Sequence, residues 1–161
     1  VYLESLGTSG NIFGPPSAIM IKKSVLDKIG QFREDMPRGC CQQYFRSVAK
    51  KYLIDYVDDV VLNYYYHNEA ITSINNKEDI HNCIVSMKIK INSTFDDLKQ
   101  VPDIYAKELV KLGNYQCQYG DFIDGIKSLI KSLGYSFSFK KVLSFIPMII
   151  KDLKIFFVTK K

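Results

Sequence analysis

Gly10-Asn11-Ile12-Phe13-Gly14-Pro15-Pro16-Ser17-Ala18-Ile19-Met20-Ile21-Lys22-Lys23 opens the stretch on which the fold reading turns, and Ile29-Gly30-Gln31-Phe32-Arg33-Glu34-Asp35 follows soon after. Gly10 and Gly14 permit close backbone approach or positive φ, and Pro15-Pro16 stiffens the chain ahead of an apolar run. Ser17-Ala18-Ile19-Met20-Ile21 is short, uncharged and closed by Lys22-Lys23, a pattern that predicts a buried strand. Ser24 stands where a helix cap belongs, with Val25, Leu26 and Ile29 on one face of a two-turn helix that Gly30 stops. After a charged loop over 31–39, Cys41, Tyr44, Phe45 and Val48 recur at helical spacing, with basic residues near the end of that run. Residues 54–66 are rich in β-branched and aromatic side chains. The turn-like Asp58-Asp59 divides them into two predicted short strands.

Beyond residue 74 the period becomes helical and stays so. Asn75 or Asn76 caps a helix with Glu78 and Asp79 in its first turn and an apolar stripe of Ile80, Ile84, Met87 and Ile91. Pro102 opens another helix through Tyr119. Gly120 breaks it, and Asp121 caps a third with Phe122, Ile126, Leu129, Ile130 and Leu133 expected inward. The pair over 102–133 resembles a single tetratricopeptide-like hairpin, too few helices for a repeat array. Residues 137–158 are strongly apolar yet studded with lysines. Their longest uncharged stretch, 142–150, is far short of the about 20 residues a membrane span needs. It reads as a core helix or an interfacial amphipathic segment.

The 161 residues make one ordinary domain or a small domain with an appendage. With 47% hydrophobic residues the chain can bury a core, which sets aside compositional disorder. Only three of the 22 basic residues are arginines, so nucleic-acid binding is not expected: bidentate phosphate recognition favours Arg. Cys40, Cys41, Cys83 and Cys117 show no metal-ligand spacing, and reduced cytosolic thiols are the expectation.

The order of a Gly/Pro loop, Ile29-Gly30-Gln31-Phe32, Arg38-Gly39 before a helix, Tyr65-Tyr66-His67 and Ile71-Thr72 resembles the C-terminal, acceptor-side half of family 2 glycosyltransferases. The resemblance covers residues 10–74. It implies an α/β fold: the C-terminal part of a GT-A-type, Rossmann-like mixed sheet over 1–74, followed by an α-helical extension over 75–161 with a basic amphipathic tail. It further implies an enzyme that moves a sugar from a nucleotide-sugar donor to a saccharide or lipid-linked acceptor in bacterial surface polysaccharide synthesis. Such an enzyme is cytoplasmic, at the inner face of the cell membrane, and residues 137–161 would supply a peripheral membrane contact. The family's divalent metal, Mg2+ or Mn2+, is held by an Asp-x-Asp that this chain lacks. With no initiating Met and no leader pattern over 1–10, the chain is expected to be a fragment cut upstream, inactive by itself.

Carried onto this sequence, the resemblance makes Gly14, Pro15, Ser17 and Arg38 acceptor-binding. It makes His67 the ligand or donor at the metal or diphosphate, a role imidazole suits. The base is where the sequence departs. Val48-Ala49-Lys50 anchors the match and puts Cys40-Cys41 where the family has Glu-Asp. A thiol at a helix N-terminus has a lowered pKa, which leaves Cys41 as a substitute base; packing as a small apolar residue is the other reading. Asp35 or Glu34 is the alternative base. The alternative function is a non-catalytic helical interaction or membrane-association module, with catalysis lost at Cys40-Cys41.

Overall fold

Asn76 starts the main helical body: its side chain accepts a 2.8 Å bond from the Asp79 N–H, and α4 (Lys77–Ser93) runs on from that cap. In the computed structural model, which describes residues 2–7, 12–63, 65, 74 and 76–136, Ile84 and Ile91 are buried, with Ile80 and Met87 packed beside them. The stripe read from the sequence therefore faces the core. α5 (Phe95–Lys99) is one turn that carries Leu98 inward. α6 (Pro102–Tyr119) opens on proline, whose missing N–H has no helical partner to lose there. It ends at Gly120, where a left-handed φ of 111° turns the N–H onto the Gln116 and Cys117 carbonyls.

α7 (Phe122–Leu133) folds back along α6 after that single break. A Cβ added at Gly113 would lie 2.8 Å from Leu129 Cγ and 2.9 Å from the Gly125 carbonyl oxygen. One added at Gly125 would meet Cys117 Sγ, and the Gly113 carbonyl at 3.0 Å. The two helices thus cross backbone to backbone. The expected hairpin forms, but with Ile126 and Ile130 turned outward rather than inward.

The other described elements are α1 (Tyr2–Gly7), a 3-10 turn at Pro16–Ala18, α2 (Lys23–Ile29) and α3 (Cys40–Lys51). Tyr44, Phe45 and Val48 of α3 form a second cluster, closed by Phe13, Ile19, Ile21, Val25 and Ile29. Phe32 stacks on Tyr44 with ring centroids 4.3 Å apart. α1 belongs to the first core instead. Leu6 has no exposed surface among Ile84, Leu109 and their neighbours, a burial that contributes about 2 kcal/mol.

A buried ionic cluster joins these parts. α1 has six residues, so its last carbonyls lack helical partners. Arg46 of α3 donates from Nε and Nη2 to the Ser5 carbonyl at 3.1 and 2.9 Å. Lys90 of α4 donates to the Leu6 carbonyl at 3.4 Å and pairs with Glu108 of α6 at 2.7 Å. Arg46, Lys90 and Glu108 are all buried. Cations buried this deeply are tolerable only with a charge partner and satisfied protons. Glu108 supplies the first, and the α1 carbonyls supply the second. Farther out, Tyr2 and Lys50 both bond the Asp97 carboxylate, and the Arg38 N–H bonds Ser86 Oγ at 2.8 Å, tying the 31–39 loop to α4.

The α/β expectation, a GT-A-type mixed sheet over 1–74, does not hold. Among the described residues there is no strand. Residues 17–21 begin inside the 3-10 turn, and the described part of 54–66 enters neither helix nor strand. β-branched and aromatic composition favours extended backbone, but a strand exists only where another strand meets its N–H and C=O groups. Ile19 and Ile21 pack on the α3 cluster instead, while Tyr56, Val57 and Val60 remain exposed.

Two stability measurements follow from this packing. Lys90 has a pKa pushed down from 10.5 to about 8, because burial opposes its charge more than Glu108 supports it. Between those values the unfolded chain binds the proton more tightly than the folded chain, so stability rises with pH across the window. The calorimetric midpoint is expected to climb from pH 8 upward, by the equivalent of at most about 1.4 kcal/mol per pH unit. The climb ends near pH 10, where Tyr2, its phenol pKa raised by burial and by Asp97, opposes it. The Lys90→Met/Glu108→Gln variant should lose the climb, and a falling midpoint in the unaltered chain would refute this account of Lys90. Separately, Gly125→Ala forces a Cβ against the α6 backbone. Even after the gain in helix propensity it should destabilise by about 1–3 kcal/mol in urea titration.

Candidate functional site

Tyr52 leaves α3 in extended backbone (φ −131°, ψ 151°), while Ile19 (φ −116°, ψ 129°) and Lys22 (φ −60°, ψ 135°) are extended in the stretch before α2. A groove of about 930 Å3 lies between these two stretches. Phe45 and Val48 of α3 and Val25 of α2 line it, because α3 turns its apolar stripe to this side. Leu53, Ile54, Tyr56 and Val57 line it from one side, and Ile19, Met20 and Ile21 from the other.

Two properties set this groove apart from a core defect. Its edge side chains are almost wholly in solvent: Met20 is 97% and Leu53 104% exposed, with Tyr56 and the neighbouring Val60 close behind. Along 53–63, its backbone also finds no backbone partner among the described residues. Among the described residues, the hydrogen bond made by a backbone N–H within 53–63 is the local one from Tyr56 to Asp55 Oδ1, at 2.9 Å. Asp55, Asp58 and Asp59 make the 53–63 stretch acidic, while Lys22 stands on the other wall. Such a surface can take apolar side chains and backbone hydrogen-bonding groups together.

The residues singled out from the sequence are divided by the structure. Ser17 lines the groove, and Gly14, with a φ of 76°, and Pro15 form the turn that leads into it. Arg38 is committed elsewhere: its guanidinium pairs with Asp79 of α4 at 3.1 Å. Cys41 packs against the Tyr44–Phe45–Val48 cluster, its Sγ 3.9 Å from Cys40 Sγ. Burial, and then the Cys40 thiol, push the Cys41 pKa up. Desolvation thus acts against the lowered pKa expected of a thiol at a helix N-terminus. Asp35 is gripped by both nitrogens of Arg33, at 2.9 and 2.7 Å, in open solvent. That grip holds its carboxyl below the usual range.

His67 lies outside the described residues, as do Gly10, Ile71, Thr72 and the tail 137–161. Among the described residues no group of three or more His, Cys, Asp or Glu side chains could hold a metal ion. No described helix is long and apolar enough to cross a membrane.

Leu53, Tyr56, Val57 and Val60 are the site residues that sequence reasoning missed. Their signal was present, an apolar run with interspersed aspartates, but from Ile54 on it was read as two short strands rather than as exposed surface.

No protein-family model, no curated protein and no solved structure matches the chain. Together with the lack of any strand among the described residues, this overturns the resemblance to family 2 glycosyltransferases. Of the short motifs that carried it, the Gly/Pro loop leads into a 3-10 turn and Arg38-Gly39 sits in a loop bonded to α4, while His67, Ile71 and Thr72 lie outside the described residues; the described chain is helical, with an open apolar groove.

Proposed function

We propose that this chain is a non-catalytic helical interaction module, and that its groove beside α3 receives an extended polypeptide segment of a partner protein. The observation that carries this reading is the coincidence, on one surface, of exposed apolar side chains and a backbone stretch, 53–63, that finds no backbone partner among the described residues. An apolar small molecule would answer the first need and leave the second to water. An extended peptide answers both, since alternate side chains enter the groove while its main chain pairs with the wall. Asp55, Asp58 and Asp59 favour a segment that carries lysine or arginine at its outward positions. Sugar transfer loses its family support.

The test uses a fluorescent eight-residue peptide of alternating valine and lysine, with a valine–glutamate peptide of the same length as control. Anisotropy should show binding in the range of tens of micromolar, typical of a small contact, and weakening as salt rises. The valine–glutamate peptide should bind at least about tenfold more weakly. Val57→Pro removes one wall N–H at an exposed position and should cut affinity for the basic peptide without altering the helical circular dichroism. Absence of binding by the basic peptide, or equal binding by both peptides, would remove the proposal.

A further inference from the structure

Among the described residues, the outer face of α7 is a second exposed apolar surface. Ile123 is 73% and Ile130 63% exposed, with Ile126 between them at 40%. At 100° per residue the three fall within an arc of about 60°. Leu129, Gly125 and Ser132 turn the opposite way, into the tight crossing with α6. The glycine contacts hold α7 rigidly, so the isoleucine ridge is presented in a fixed direction.

The flanks of that ridge differ from each other. Asp124, Lys127 and Lys131 lie along one side, and Phe122 and Leu133 along the other. A two-fold axis through the helix midpoint, between Lys127 and Ser128, would lay a second α7 antiparallel on the first. The operation brings like flanks together with their order reversed. Asp124 then lies level with Lys131 of the second copy, and Phe122 with its Leu133. The isoleucines interleave in the order 123, 130, 126, 126, 130, 123, every second pair coming from alternating copies, so ridges meet grooves rather than ridges. The ridge is self-complementary in both charge and shape.

We propose that the chain forms a two-fold symmetric homodimer through antiparallel packing of α7 against α7 of a second copy. One three-turn helix face per protomer is a small interface. It belongs to the weak, concentration-dependent class, with a dissociation constant on the order of 10 μM. The surface is separate from the groove beside α3, and this inference stands whether or not the groove binds peptide.

Sedimentation velocity of the full chain across a concentration series tests it. The expected result is a monomer–dimer equilibrium that the Ile126→Lys/Ile130→Lys variant shifts at least about thirtyfold toward monomer. Its thermal midpoint should stay unchanged, because both side chains are already in solvent. Asp124→Lys should weaken the dimer about fivefold, and adding Lys131→Asp should restore it. Val57→Pro, in the groove, should leave the dimer constant unaltered. A chain that remains monomeric at about 200 μM would overturn the proposal, that concentration being well above the expected constant. So would a dimer indifferent to the isoleucine substitutions, or one that the charge exchange fails to restore.

Discussion

Glu108 is the residue on which the arrangement of the helices depends. It is buried on α6, and its carboxylate holds Lys90 at 2.7 Å while Arg46 lies close enough for its charge to be felt. The two cations in turn hold the last carbonyls of α1. Without that single negative charge, two positive groups would sit in an apolar interior with only dipoles to face. Such a state costs several kcal/mol and is relieved by letting α1 go. Four helices therefore owe their mutual placement to one carboxylate. α3 depends on it too, because Arg46 fastens α3 to α1, and the groove is built on the other face of α3.

The same economy explains why apolar surface remains outside. The first core closes around α4, α5, α6 and the single Leu6 of α1. The second is little more than Tyr44, Phe45 and Val48 under a lid of loop and short helix. Neither is large enough to draw in residues 53–63 or the ridge of α7. What stays exposed has two chemistries: a groove whose 53–63 wall finds no backbone partner among the described residues, suited to an extended chain, and a closed helix whose backbone is satisfied, suited to another helix. The distinction follows from where hydrogen bonds are already made, and hydrophobicity alone would not reveal it.

The helices were largely legible in the sequence. Cys41, Tyr44, Phe45 and Val48 at helical spacing marked α3, Asn76 its cap on α4, and Pro102 with Gly120 the limits of α6. Those signals are local and act within one or two turns. What stayed hidden depends on distant partners. Residues 17–21 and 54–66 have the composition of strands, but strand formation requires a neighbour that composition cannot name. Ile126 and Ile130 share a face with Leu129 on a helical wheel, yet the glycine crossing rotates α7 so that Leu129 alone enters the core. The lowered thiol pKa expected of Cys41 was a helix-end argument, overruled by burial that only the fold decides. Arg46 and Lys90 were not singled out, since nothing nearby in sequence announces the carbonyls they serve.

The hairpin of α6 and α7 also sets an order of events. Its defining contacts join Gly125 to Cys117 and Leu129 to Gly113, separations of 125 − 117 = 8 and 129 − 113 = 16 residues. The bonds that seat α1 span 41 and 84 residues. Closing short loops costs little conformational entropy and is fast, whereas the long ones gain nothing until both ends are in place. During synthesis from the N-terminus, α1 emerges first, yet it must wait for Lys90 and Glu108 before it has a seat. Of the described helices, the first to be made is thus the last to be fixed, and until then its buried anchor, Leu6, is open to any chaperone that meets it.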